Sequence, residues 1–186
     1  MERHGWPRRR ANYFFALLPT PAAAVSADRM AGALRHWFGL SGRPRGIEKY
    51  HVSLWGWPWS DEPDLQELAL LDRAAGRIRQ RPFELRFDEV ACFAQRADRS
   101  ALVVTGGDGV IGAERLHDAL CQELRASGIR GRRASGQPHL TLLYDPFRSD
   151  GFRVRALRWR VTEFVLIHSL RGERYRILGS WPLIGP

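Results

Sequence analysis

Lysine is nearly absent from this chain: Lys49 is the only one among 29 lysine and arginine residues. A positive charge carried by guanidinium is not titrated near neutral pH, and its planar fork matches phosphate geometry. With a formal net charge of +9, the expected partner is a polyanion such as RNA. Arginine replacing lysine across ordinary solvated faces would give the same bias, so charge alone does not decide the matter. Cysteine is scarce too. Cys92 and Cys121 lie far apart and outside any metal-ligand spacing, which argues against a disulfide framework and fits reduced thiols in a cytoplasmic protein. No apolar run reaches the roughly 20 residues of a bilayer-spanning helix, so no membrane role is expected. The N-terminal "RRRANYFFALLPTPAAAVSA" has the basic, apolar and small-residue order of a signal peptide. Its apolar stretch is short and stops at Pro19, and it reads better as a first strand entering a helix.

Hydrophobic residues make up 44% and charged residues 26% of the 186 positions, enough for one domain over 1–186 with a basic tail at 1–11. A monomer is expected. Residues 12–18 read as a buried strand, and Thr20-Pro21 supplies an N-cap and a first-turn proline for a helix with Met30, Leu34, Trp37 and Phe38 on one face. A second amphipathic helix is expected from "SDEPDLQELALLDRAAGRIRQ", with Leu65, Leu68, Leu71, Ala75 and Ile78 at helical spacing. "FELRFDEVACF" and "SALVVTG" read as strands, and Ala113, Leu116, Leu120 and Leu124 mark a third helix. "HLTLLYD", "LRWRVTEFVLIHSL" and "RYRILGSWPL" read as further strands, the last two joined by a turn at Arg171-Gly172. This order predicts an α+β fold with antiparallel sheets and outer helices.

One pattern occurs twice. His51-Val52-Ser53-Leu54 and His139-Leu140-Thr141-Leu142 share the order histidine, apolar, hydroxyl, apolar, each after a helix and a basic loop. Side chains alternate across a strand, so each histidine shares a face with its hydroxyl. Related by a pseudo-two-fold, the two units would bring two imidazoles and two hydroxyls to one groove. Histidine can give or take a proton near neutral pH, and a hydroxyl can hold a phosphoryl oxygen. Such a pair suits an in-line displacement at phosphorus, one imidazole acting as base and the other as acid. A single His-x-Ser/Thr more often marks a satisfied histidine at a strand end; the repetition in matching contexts is what points to chemistry.

In these motifs, and in "YFFALLP", "FELRFDEVACF" and "FVLIHSLRGERYRILGSWPL", the chain resembles the 2H phosphoesterases, and among them the branch called 2′-5′ RNA ligase or RNA 2′,3′-cyclic phosphodiesterase. The resemblance implies a bilobal fold of two pseudo-symmetric antiparallel sheets around a central cleft, acting without metal or cofactor on RNA or a short oligonucleotide that ends in a cyclic phosphate. It also implies His51 as general acid, His139 as base, and Ser53 and Thr141 as ligands of the phosphate oxygens. Ser53 stands where threonine is usual. Tyr144 stands where many relatives carry arginine, which leaves the phosphate contact at that position open.

Further residues carry two readings. Trp57 and Trp59 are candidates for stacking on a nucleobase, whereas Trp55 is expected in the core. Arg43, Arg45, Arg130, Arg132 and Arg133 lie on loops entering the motif strands, either contacting phosphate or simply solvated. His168 is expected to be structural, and His4, His36 and His117 to lie in the tail or on helix surfaces. Gly107, Gly109 and Gly112 form a G-x-G-x-x-G spacing, but no βαβ unit or acidic partner follows, and a strand-to-helix turn explains them better than a dinucleotide. The remaining alternatives are a non-catalytic RNA-binding module and a phosphoesterase acting on a different cyclic phosphate.

Overall fold

The computed structural model describes residues 11–57, 65–96, 99–129, 132–133, 136–170 and 172–185. Among these, nine strands and three α-helices run in the order β1 (Ala11–Leu17), α1 (Pro21–Trp37), β2 (Val52–Trp57), α2 (Leu65–Ala75), β3 (Phe83–Arg96), β4 (Arg99–Thr105), α3 (Ile111–Ala126), β5 (Arg132–Arg133), β6 (Leu140–Asp145), β7 (Phe152–Val161), β8 (Glu163–Leu170) and β9 (Arg176–Pro182). This is the α+β class read from the sequence.

All the pairings are antiparallel, in the order β7-β3-β4-β6-β2-β1-β8-β9, with β5 added against β2. The expected two sheets are thus two four-stranded halves, β7-β3-β4-β6 and β2-β1-β8-β9. They meet only where β6 pairs with β2. The half β7-β3-β4-β6 comes from the middle of the sequence, whereas β2-β1-β8-β9 takes strands from both ends and cannot be completed before most of the chain is in place. One core cluster spans both, uniting Phe15, Leu17, Val52 and Leu54 of one half with Leu85, Phe87, Leu140 and Leu142 of the other.

Helix α1 begins as expected: the Thr20 hydroxyl accepts from the Ala23 N–H at 3.3 Å and Pro21 opens the first turn, satisfying one of the orphan donors there. Its buried face meets the expectation at Leu34, with Met30 packed against the core, and departs from it at Trp37. Ala23, Ala24, Ala27, Ala31 and Leu34 line it, while Trp37 is 83% exposed. Alanines let the helix axis approach the sheet closely, and the large residues fall where the helix has run past it. Phe38, at the C-cap, rests on Phe147 and Phe152 at 5.0 and 5.5 Å between ring centroids.

A second correction concerns "LRWRVTEFVLIHSL", expected to be one strand. It is two strands, β7 and β8, which lie in opposite halves and pair with β3 and β1. The break is Thr162, whose carbonyl accepts from the Leu183 N–H at 2.7 Å instead of continuing a ladder. The patterns on its two sides differ as their surroundings do: Leu157, Trp159 and Val161 alternate with exposed residues on the edge strand β7, whereas Phe164 to Ile167 are buried without interruption. A strand covered on both faces reads as a continuous apolar run.

Two of the three glycines of the G-x-G-x-x-G run, Gly109 ahead of α3 and Gly112 in its first turn, are packed closely on β3. A Cβ on Gly109 would lie 2.4 Å from the Arg86 carbonyl oxygen, and one on Gly112 would lie 2.3 Å from the Phe83 ring. Contact with β3 therefore explains the spacing at these two positions. Gly109→Ala should destabilise the protein by about 1–3 kcal/mol, because a backbone carbonyl cannot swing aside as a side-chain tip can. Chemical denaturation should show this, while Gly107→Ala, at a position open on all sides, should cost clearly less.

Candidate active site

The joint between the two halves brings the repeated motifs together. Val52 is paired with Leu140 across the β2–β6 seam. Continued by one residue each way, this antiparallel register sets His51 against Thr141 and Ser53 against His139, all four on the face opposite the buried Val52 and Leu140. The histidines are close enough that charge on His139 lowers the pKa of His51.

Each motif ends in a bulge. Phe15 pairs with Trp55 and Ala16 with Ser53, so Leu54 is an extra residue on β2. Leu102 pairs with Leu143 and Val103 with Thr141, so Leu142 is the extra residue on β6. Two successive residues then face the core, Leu54 and Trp55 in one unit and Leu142 and Leu143 in the other. The next position, Gly56 or Tyr144, returns to the cleft face. A bulge re-aims the residues beyond it, and here the two copies leave a bare backbone on one side and a phenol ring on the other.

The basic loops cross over. The loop ahead of β2 lies along the other motif strand: Pro44 bridges Leu143, and the Arg45 N–H donates to the Leu142 carbonyl at 2.9 Å. Correspondingly, β5, ahead of the second motif, pairs through Arg133 and Arg132 with Trp55 and Gly56 of β2. The first loop is clamped by Asp145. Its Oδ2 accepts from the Gly42 N–H at 2.8 Å and the Ser41 hydroxyl at 3.0 Å, and its Oδ1 from the Phe147 N–H at 3.1 Å. A Cβ on Gly42 would overlap the Tyr144 carbonyl oxygen at 2.1 Å, so only glycine allows this approach. The result is that the Arg45 guanidinium sits 5.3 Å from the centre of the Tyr144 ring, with Arg99 4.1 Å from the same ring.

The two imidazoles are held alike. His51 Nδ1 donates to the Lys49 carbonyl and His139 Nδ1 to the Gln137 carbonyl, each at 2.9 Å and each two residues back. A carbonyl can only accept, so both rings carry hydrogen on Nδ1 and leave Nε2 for the cleft. One phenyl ring flanks each: Phe14 beside His51 at 4.9 Å and Phe93 edge-on to His139 at 4.8 Å. The Tyr175 hydroxyl lies 3.3 Å from His51 Nδ1, bonded also to Arg45, and the Lys49 ammonium stands 4.2 Å from the centre of the Tyr175 ring. Burial, then the charges of Arg45, His139 and Lys49, push His51 down to about 4 against the partial support of the Lys49 carbonyl. His139 is lowered by burial, with the Gln137 carbonyl opposing. Both rings are therefore neutral in the free protein near neutral pH.

Other expected site residues fall elsewhere. Trp59 and the side chain of Trp57 lie outside the described residues, as do His4, Arg130 and the side chains of Arg132 and Arg133. Trp55 is 4% exposed and packs on Phe15, as expected for the core. His168 is buried and stacked on Tyr13 at 4.5 Å. Arg43 and His36 are exposed. His117, expected on a helix surface, is instead buried on α3 with Nε2 3.4 Å from the Cys121 sulfur, and it borders a cavity of about 180 Å³ shared with Ser53 and His139. Helix α3 packs against both β2 and β3, strands of different halves, which its own periodicity could not reveal. Phe14, Phe93, Arg99 and Tyr175 were also missed. No local motif marks them; strand pairing and loop placement bring Phe14, Phe93 and Tyr175 to the histidines and Arg99 to Tyr144. Among the described residues, no group of three or more histidine, cysteine or carboxylate side chains is arranged to hold a metal ion.

A family model described as the 2′-5′ RNA ligase superfamily matches residues 49–173. Among solved structures, LigT of E. coli complexed with 3′-AMP is similar at 23% identity and a TM-score of 0.71, covering 94% of this chain and 98% of that one. TT0787 of Thermus thermophilus is similar at 20% identity with the same score and the same coverage. Usb1 of Kluyveromyces marxianus is similar at 12% identity and a TM-score of 0.59, over 95% and 99% of the two chains. No curated protein matches.

The Asp145 clamp is testable through its titration. Burial would raise this carboxyl, but the bonds from Gly42, Ser41 and Phe147 outweigh it and hold the group below its ordinary value of 3.8. A carboxyl depressed on folding adds stability that is complete above its unfolded pKa and disappears as pH falls through the folded one. Asp145→Ala should therefore lose about 1–3 kcal/mol near neutral pH. The gap to wild type in urea unfolding should narrow only as the pH drops below about 4.

Proposed function

This chain belongs to the 2′-5′ RNA ligase superfamily, and we propose that it hydrolyses the 2′,3′-cyclic phosphate at the end of an RNA or short oligonucleotide to a 2′-phosphate. The observation that carries this reading is the facing pair of histidines, each with Nδ1 bonded to a carbonyl two residues back and Nε2 turned to the cleft. Two such nitrogens can act on opposite sides of one phosphorus. The likeness to LigT complexed with 3′-AMP adds that a protein of this fold takes a nucleotide.

In the proposed reaction the cyclic phosphate lies between the imidazoles with its non-bridging oxygens toward Ser53 and Thr141. His139 Nε2 removes a proton from water as the water oxygen forms its bond to phosphorus. The bond from phosphorus to the 3′ oxygen breaks in line, and His51 Nε2–H gives that oxygen its proton. One proton is gained by His139 and one lost by His51, and exchange with solvent resets the pair. Each imidazole supplies roughly 10²–10⁴-fold, and fixed donors toward the developing phosphorane charge supply more.

In the free cleft, the charges of Arg45 and Lys49 oppose the protonated His51 this scheme needs. Substrate supplies the remedy. The negative phosphate, placed between these cations and the ring, offsets their field and favours the imidazolium. In this reading Arg45 and Arg99, stacked on Tyr144, contact the substrate's phosphates, which would give the tyrosine at position 144 a role as their platform.

The test is the product formed from an oligonucleotide ending in a 2′,3′-cyclic phosphate, incubated in EDTA. A 2′-phosphate is expected; a 3′-phosphate, or no turnover until metal is restored, would refute the proposal. His51→Ala and His139→Ala should each lose far more than Ser53→Ala or Thr141→Ala, whose missing hydroxyl bond costs about 1–3 kcal/mol, or roughly 5- to 150-fold. A substrate with a better leaving group should partly rescue His51→Ala and not His139→Ala. Rescue of His139→Ala alone would exchange the two roles, as the charge order of the empty cleft would favour.

A further inference from the structure

Arg45 carries its charge beside His51 with no acid to hold it. Among the described residues it forms no ion pair, and a side chain of this length has much rotamer freedom to lose before it keeps one place. Two phenols fix it instead. Its guanidinium carbon lies 5.3 Å from the centre of the Tyr144 ring, and the Tyr175 oxygen accepts a hydrogen bond from it. A carboxylate in either position would cancel the charge before an anion arrived, whereas a phenol holds the same fork and leaves the charge in place.

Tyr175 is itself held from two sides. Phe14 stands edge-on to its ring at 5.7 Å. On the ring face, the Lys49 ammonium lies 4.2 Å from the centre and donates to the Glu173 carbonyl, two residues back in the same loop. The Lys49 carbonyl in turn accepts from His51 Nδ1, so one residue ties the loop between β8 and β9 to the imidazole. The bonds of the Tyr175 hydroxyl follow by elimination. Its oxygen lies 3.3 Å from His51 Nδ1, which already carries hydrogen and cannot accept, and a guanidinium only donates. The oxygen therefore accepts from Arg45 and takes a minor share of the Nδ1 hydrogen, bridging the two side chains. Burial raises the Tyr175 pKa against the opposing charge and hydrogen bond of Arg45, so the bridge persists unchanged across the neutral range.

We propose that Tyr175 is a positioning residue of the cleft, whose hydroxyl fixes the Arg45 guanidinium beside His51 so that this cation meets the substrate's phosphate next to the imidazole. The purpose given to the arginine rests on the proposed reaction; the bridge itself does not. The groups facing His51 are Arg45 from the loop ahead of β2, Lys49 from the turn Ile47–Lys49, His139 from β6 and Tyr175 from the loop ahead of β9, with the uncharged Phe14 of β1. Of the two cations, Arg45 is the one bonded to the hydroxyl, while Lys49 rests on the ring face, which phenylalanine would keep.

The experiment is side-chain NMR of the free protein, comparing wild type with Tyr175→Phe, Arg45→Gln and the double variant. In wild type the Arg45 guanidinium signals should be those of a held side chain, and in Tyr175→Phe they should move to those of a solvated arginine. Because the Arg45 charge opposes protonation of His51, the His51 titration midpoint should rise by roughly half a unit in Tyr175→Phe and by at least as much in Arg45→Gln. In the double variant the two rises should not add, since the hydroxyl acts through the arginine. A merely structural Tyr175 would change the melting temperature and leave the midpoint where it was. A midpoint unmoved by Tyr175→Phe, or full addition in the double variant, would overturn the proposal. Solvated-arginine signals from Arg45 in the wild type would do so without any variant, which keeps the test decisive if Tyr175→Phe folds poorly. Turnover of an oligonucleotide ending in a 2′,3′-cyclic phosphate gives a second reading: Tyr175→Phe should lower kcat/KM roughly 3- to 10-fold in the wild-type background and little further in Arg45→Gln, and an equal loss in both backgrounds would also refute the bridge. The NMR readings use the free protein, so they decide the matter whether or not the cleft opens cyclic phosphates.

Discussion

The pairing of Val52 with Leu140 is the contact on which the site depends. It is where the two four-stranded halves meet in the sheet, and it fixes which motif residues oppose one another. A shift of one residue would turn the histidines and hydroxyls of one strand to the opposite face. The seam itself is short, so its alignment comes from what surrounds it: the shared apolar core, the Asp145 clamp, and the crossing of each basic loop onto the other half. Residues placed by a short junction between two rigid bodies can remain in a cleft, because the sheet need not close over them there.

The electrostatics follow from the same geometry. Burial and the cations of the crossed loop keep His51 unprotonated in the empty cleft, and the backbone carbonyls fix the tautomer of both rings. Since arginine stays charged throughout the accessible pH range, that field does not relax when the pH changes. A bound anion is what offsets it. In the proposed reaction the charge of the substrate and the protonation of His51 are thereby linked, which would give a physical reason for an arginine beside a histidine proposed as the acid.

Much of this was legible in the sequence, and the rest was hidden for identifiable reasons. The doubled His-x-Ser/Thr pattern named the four central side chains, because strand alternation is strictly local. The Thr20-Pro21 helix start and the α3 periodicity were legible on the same ground; that of α2 held at Leu71 and Ala75, whereas Leu65 is exposed and Ile78 lies past the helix end. The bulges at Leu54 and Leu142 were not, since an extra residue shows itself only against a partner strand. The change of partner at Thr162 was equally invisible, although alternating arginines give way there to an unbroken apolar run. Trp37 was placed on the wrong face because large residues were given more weight than the alanines that pack α1. Tyr175 and Phe93 have no signal of their own and come to the histidines, as Arg99 comes to Tyr144, through tertiary contacts alone. Tyr144 was noticed as a departure, but its role as a platform for two arginines depends on a loop clamped by Asp145.

The claim that substrate charge sets the proton on His51 can be tested directly by long-range ¹H–¹⁵N NMR of the histidine side chains, with and without a nucleoside 2′-phosphate. In the free protein, His51 should keep hydrogen on Nδ1 alone and stay neutral until the pH approaches about 4. With the nucleotide bound, it should take up a proton on Nε2 at a pH at least one unit higher, about a 1.4 kcal/mol change or more. A His51 already protonated at its ordinary imidazole pKa in the free protein, a ring protonated on Nε2 alone, or a titration unmoved by the nucleotide would contradict the account.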